Sequence, residues 1–129
     1  MAMKIITDER CTGYHRAGHP ERPQRISRTL EKLRGQRELP IDWVEPLAAV
    51  EDEIILRAHS KAHLARVKAG AEDFDGDTPT HPNIFEHARR GVGGALQALA
   101  LARKGEMVFS LLRPPGHHAT RDRAMGFCY

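Results

Sequence analysis

Apolar positions fall along the chain in blocks that alternate between strand-like runs and helix-like stripes. Lys4 to Thr7 is a short β-branched run behind Met3 and reads as a buried first strand. Asp8 to Gly18 is polar, carries Gly13 and Gly18, and reads as a loop. Ile26, Leu30 and Leu33 recur at helical spacing and draw one apolar stripe, on a helix that Gly35 is placed to end. Ile41 to Glu45, bounded by Pro40 and Pro46, reads as a second strand, and Glu51 to Ala58 as a short helix. Ser60 predicts the start of another helix, Lys61 to Lys68, because its hydroxyl can accept a free first-turn N–H. Asn83 caps a long helix, Ile84 to Lys104, striped by Phe85, Ala88, Val92, Ala95, Leu96, Leu99 and Ala102. Gly91, Gly93 and Gly94 weaken that helix, a cost that makes sense if it packs closely on a sheet. Gly105 ends it, and Met107 to Leu112 is a third strand. Strand, helix and strand at this spacing argue for parallel α/β architecture.

Composition narrows the class without naming it. A chain of 129 residues is one domain with a modest core. Its formal charge of +3 is mixed in sign along the sequence, which suits a solvated surface and not a specific nucleic-acid binder. Cys11 and Cys128 lie far apart with no metal-like spacing, so a reduced, cytoplasmic protein is the simplest account. No stretch approaches a membrane span, and Met1 to Ile6 does not read as a signal peptide.

Candidate chemistry concentrates in Arg113 to Tyr129, R-P-P-G-H-H-A-T-R-D-R-A-M-G-F-C-Y. Pro114 and Pro115 stop the third strand, because proline has no N–H for a ladder. Gly116 allows a tight bend, and the tandem pair His117 and His118 follows. Imidazole is the side chain that most readily exchanges protons near neutral pH. The position just past the carboxyl end of a strand is where open α/β sheets bind ligands. Other clusters weigh less. His59 and His63 lie four apart but have no third ligand in pattern, and read as structural. Asp73, Asp75 and Asp77 alternate in the acidic loop Gly70 to Asn83, yet the rest of a calcium-loop pattern is missing. A structureless loop of that length is often functional in itself.

The run R-P-P-G-H-H-A followed by M-G-F-C-Y resembles the active-site segment of the histone deacetylase family, which includes bacterial acetylpolyamine amidohydrolases and acetoin-utilisation proteins. H-P-E-R-P-Q-R-I, from His19 to Ile26, and D-T-P-T-H-P-N-I-F-E-H-A, from Asp77 to Ala88, resemble the same family. The resemblance implies the N-terminal portion of an arginase/deacetylase-type parallel sheet flanked by helices. About three strands of it lie in this chain, the first placed between the other two. Residues 1–129 are then the N-terminal part of a single domain whose remainder lies beyond Tyr129.

The family hydrolyses acetyl-amides, typically N-acetyl-lysine or acetylpolyamine, with zinc. By resemblance His118 is the general base and acid, and His117 its electrostatic partner, although adjacent rings titrate as a coupled pair. Gly126 and Phe127 match the residues lining the acyl-lysine tunnel, and Asp77 the rim aspartate that accepts from substrate amides. Arg25 matches a buried arginine beneath the site, near the internal channel thought to release acetate, and Cys128 is a packing residue. The zinc ligands, an Asp-x-His pair and a later Asp, are expected beyond Tyr129, so the resemblance assigns no metal ligand in this chain. The other reading is an inactive fragment that acts as a self-associating structural module. The expected partners are an acetylated lysine or amine substrate, plus either a second copy or a companion C-terminal fragment.

Overall fold

The structure is a computed structural model that describes residues 1–47 and 49–129. Its strands are β1 (Met3–Ile6), β2 (Ile41–Val44) and β3 (Val108–Ser110), and its helices α1 (Gln24–Gly35), α2 (Asp52–Ile55), α3 (Lys61–Ala69) and α4 (Ile84–Ala102). The three strands form one parallel sheet in the order β2-β1-β3, so the first strand is central, as expected. Met3 pairs with Ile41 on one side, and Lys4 with Val108 on the other. β2 and β3 are shorter than the runs that encode them, and β1 is shifted by one residue toward Met3. The β1–β3 contact nevertheless continues past the strand, because the Leu111 N–H donates to the Ile6 carbonyl at 2.8 Å.

The core is Ile5, Cys11, Ile26, Leu30 and Leu111, with Met3, Leu33, Ile41 and Leu112 packed around it. The α1 stripe therefore faces the sheet as its spacing requires. Ser60 caps α3, accepting the His63 N–H at 3.2 Å. Among the described residues no helix is long and apolar enough to cross a membrane.

Two expectations change. The polar segment after β1 contains a 3-10 helix, Glu9–Thr12, which Asp8 caps by accepting the Arg10 N–H at 2.9 Å. A single such turn leaves too short an apolar pattern to see, and its one buried residue is Cys11. The second change concerns α4. Its buried residues are Ile84, His87 and Gly94, while Val92, Leu96 and Leu99 of the apolar stripe stay exposed. Gly94 explains the choice. A Cβ there would come within 2.4 Å of Leu112 Cδ1 and 3.0 Å of Ser110 Oγ, so the helix backbone sits directly on β3. Close approach through a small residue decides which face is buried, and the larger apolar side chains are turned away.

Candidate active site

The site is built where the chain leaves β3. Leu111 is buried, and the next charged residue, Arg113, is drawn wholly inside, at 1% exposure. A buried guanidinium is tolerable only when its N–H groups are met. Glu21 meets Arg113 in a forked pair, accepting from Nε at 3.0 Å and from Nη2 at 2.8 Å. Nη1 donates to the carbonyls of Cys11 at 2.7 Å and Tyr14 at 2.9 Å. The guanidinium also stacks 3.8 Å from the Tyr14 ring centre. His81 and His87 lie against the same ring, each at 4.8 Å. Burial, and then the neighbouring Arg90, pull the His87 pKa down to about 4. Its Nδ1 therefore accepts from Arg90 Nη1 at 3.0 Å as a neutral ring.

This anchor fixes the loop that starts at Pro114. His117 and His118 occupy a turn, exposed, with ring centres 4.3 Å apart. They sit past the carboxyl end of β3, outside any regular helix. Gly126 closes on them from the far side of the loop. A Cβ on Gly126 would stand 3.0 Å from His118 Cβ and 3.1 Å from its Cγ and Cδ2, and the residue's φ is +58°. Both facts require glycine. Phe127 follows with φ +70°, a rare conformation for a bulky side chain. Met125 and Cys128 exchange hydrogen bonds at 3.0 Å in both directions, which makes Gly126 and Phe127 the tip of a tight two-residue turn. Cys128 is fully buried behind it.

The acidic loop reaches the same place through a second tight turn, Asp75 to Thr78. Its three aspartates do not converge. Asp73 binds Arg16 at 2.8 and 3.0 Å and accepts the Thr80 N–H, and its pKa falls to about 2, chiefly through Arg16. The Asp75 carboxyl is held below its ordinary range, first by the Thr78 side chain and then by the Asp77 N–H. Asp77 carries its carboxylate on the exposed tip. Two contacts tie this turn to the other one. The Phe127 N–H donates to Thr78 Oγ1 at 3.2 Å. His19 accepts the Glu21 N–H at Nδ1, 3.1 Å, so its Nε2–H donates to the Asp77 carbonyl at 2.8 Å. The His19 ring then meets Phe127 edge to face at 4.8 Å.

His117, His118, Asp77, Gly126 and Phe127 thus gather at one end of the sheet. The Arg25 side chain is 43% exposed in this chain and touches Glu21 at 3.4 Å. Glu21 already gives its forked pair to Arg113, and that residue is the buried arginine. Glu21 and Thr78 have no role of their own in the sequence reading, and His19 enters it only as the head of the H-P-E-R-P-Q-R-I segment. The available signal was a charged residue placed directly after an apolar strand run, which needs an opposite charge to be buried. His59 holds the Thr120 carbonyl at 2.9 Å through Nδ1, and His63 is buried beside it, a structural use of that pair. Among the described residues no group of three His, Cys, Asp or Glu side chains is placed to hold a metal ion.

Residues 19–129 match the family model described as the histone deacetylase domain. A probable deacetylase of Methanothermobacter thermautotrophicus is 38% identical over 131 aligned positions, covering 98% of this chain and 39% of that protein. A histone deacetylase-like amidohydrolase of Pseudomonas aeruginosa is 37% identical, over 88% of this chain and 31% of its own length. The crystal structure of the HDA15 HD domain superposes with a TM-score of 0.79 at 26% identity, covering 98% of this chain and 40% of that one. The chain spans two fifths or less of the length of these relatives. The fold is that of the arginase/deacetylase class, and the chain belongs to the histone deacetylase family.

Proposed function

We propose that this chain carries the proton-transfer and rim half of a zinc-dependent hydrolase that cleaves acetyl-amides of lysine or of polyamines. The observation that carries the reading is the pairing of His117 and His118 in one exposed turn, with Gly126 against His118 and Phe127 beside it. Hydrolysis adds water across the amide, giving acetate and a free amine. His118 takes the proton of the attacking water and returns one to the departing nitrogen, which must leave as an amine. His117 stabilises the charge that this transfer creates. Phe127 offers an apolar face to the alkyl chain of the acylated amine. Asp77, exposed at the rim, accepts from backbone amides of a peptide substrate. The described residues do not by themselves form a metal site. The zinc requirement rests on family membership, with the ligands assigned to sequence that relatives carry further along. Arg25 lines an acetate channel only where additional chain covers its exposed face. The two free, buried cysteines suit a cytoplasmic protein.

Acetate release from an acetyl-lysine peptide by the full-length protein tests this. His118→Ala lowers turnover about a hundredfold or more, the usual weight of a general acid–base group, while zinc content is unchanged. Ordinary turnover in that variant contradicts the role, and loss of zinc would make His118 a ligand. The second reading, a self-associating structural module, is favoured by the exposed Val92, Leu96, Leu99, Met107 and Phe109. It predicts association without any acetate release.

A further inference from the structure

His19, Asp77, Thr78 and Phe127 form a closed circuit. His19 donates to the Asp77 carbonyl at 2.8 Å, Asp77 is bonded to Thr78, Thr78 accepts from the Phe127 N–H at 3.2 Å, and the Phe127 ring returns to His19 at 4.8 Å. We propose that Thr78 and His19 are positioning residues that latch the Asp77 turn to the Gly126–Phe127 turn, so that rim and tunnel wall hold substrate as one rigid unit. This deepens the deacetylase reading and rests on it for the substrate class.

Thr78 is the centre of the latch. It is fully buried, and a buried hydroxyl must use its proton. The Phe127 N–H points at the Thr78 oxygen, and the Thr78 side chain also helps to hold the Asp75 carboxyl below its ordinary range. Such support has a purpose at Phe127. A non-glycine residue at positive φ is strained and persists only where its surroundings over-determine it. The hydrogen bond that the Phe127 N–H donates to Thr78 and the contact with the His19 ring are two such constraints. His19 is the other half. Its Nδ1 is occupied by the Glu21 N–H, which fixes the tautomer that donates to Asp77. Glu21 is the partner of buried Arg113, so the latch is tied to the anchor of the His117–His118 loop.

The test has two arms. Thr78→Val keeps the shape of the side chain and removes the acceptor, whereas Thr78→Ser keeps the acceptor. In the 129-residue chain, amide hydrogen exchange at Phe127 rises about five- to tenfold in Thr78→Val, the weight of one lost hydrogen bond. It returns to within about twofold of wild type in Thr78→Ser, and Leu111, in the β1–β3 ladder, is unchanged in both. Unchanged Phe127 exchange, or an equal rise at Leu111, overturns the latch. His19→Gln, at a half-buried position, is the second variant. It loses the ring contact with Phe127, and the same rise at Phe127 is expected. In the full-length protein with an acetyl-lysine peptide, Thr78→Val raises KM about fivefold with kcat within about twofold, and serine rescues it. A fall in kcat at constant KM contradicts a positioning role. If the wild-type protein releases no acetate, the deacetylase reading fails, and the exchange arm still decides whether the latch exists.

Discussion

At the carboxyl end of the sheet Arg113 is 1% exposed, and Glu21, Cys11 and Tyr14 all accept from its guanidinium. Along β3 and the outer face of α4, Phe109 is 54% exposed, Met107 52%, Leu99 54% and Leu96 43%. The first region is a closed network that depends only on residues of this chain. The second presents a strand edge and an apolar helix face together, a combination that soluble monomers avoid because it templates pairing with another chain. The contrast teaches that the site end can be preformed while the opposite flank of the sheet still requires cover.

The largest expected effect breaks the closed end. Arg113→Ala leaves the buried Glu21 with only the part-exposed Arg25 at 3.4 Å, and two carbonyls without donors. Removing one partner of a buried pair costs about 3–5 kcal/mol, so chemical denaturation of this variant should show a large loss of stability or no cooperative transition. Arg25→Ala, at the exposed end of the same carboxylate, should change stability little.

Acid is the next probe of the closed end. His87 is buried neutral, with its pKa pulled to about 4 from an ordinary 6.5. Between those values the unfolded chain binds a proton that the folded chain refuses. Stability is therefore complete above about pH 6.5 and is lost as pH falls toward about 4, by no more than about 2–3 kcal/mol. His63 and His81, both also lowered by burial, act in the same direction. Denaturation midpoints measured across that window should slope, and His87→Gln should flatten the slope. A flat wild-type profile would mean that the ring is solvated.

Gly126→Ala sharpens the comparison within the site. The added methyl meets His118 at 3.0–3.1 Å and sits on a backbone at positive φ. The expected cost is about 1–2 kcal/mol, and it should appear as faster amide exchange in Met125–Cys128 without change in the β1–β3 ladder.

Much of this architecture was legible because the relevant signals are local. Ile26, Leu30 and Leu33 repeat at helical spacing, Ser60 carries its cap, and Pro114 and Pro115 stop a strand before two histidines. The family resemblance supplied the strand order. What was not legible depends on contacts far apart in sequence. Glu21 and Arg113 are separated by 92 positions, and His19 and Asp77 by 58, so neither partner announces the other. The α4 stripe misled for a different reason. Periodicity finds the most apolar face, but Gly94 permits a closer approach on another face, and packing followed distance.

Sedimentation velocity on the 129-residue chain, over a wide concentration range, tests the contrast most directly. The account predicts a dimer or higher oligomer formed through β3 and α4, or a stable complex once a companion fragment carrying the remaining family strands is added. Phe109→Lys on the open edge should weaken that association, while Thr78→Val at the closed end should leave it unchanged. A well-behaved monomer that unfolds cooperatively and ignores the companion fragment would contradict the claim that this flank of the sheet requires cover.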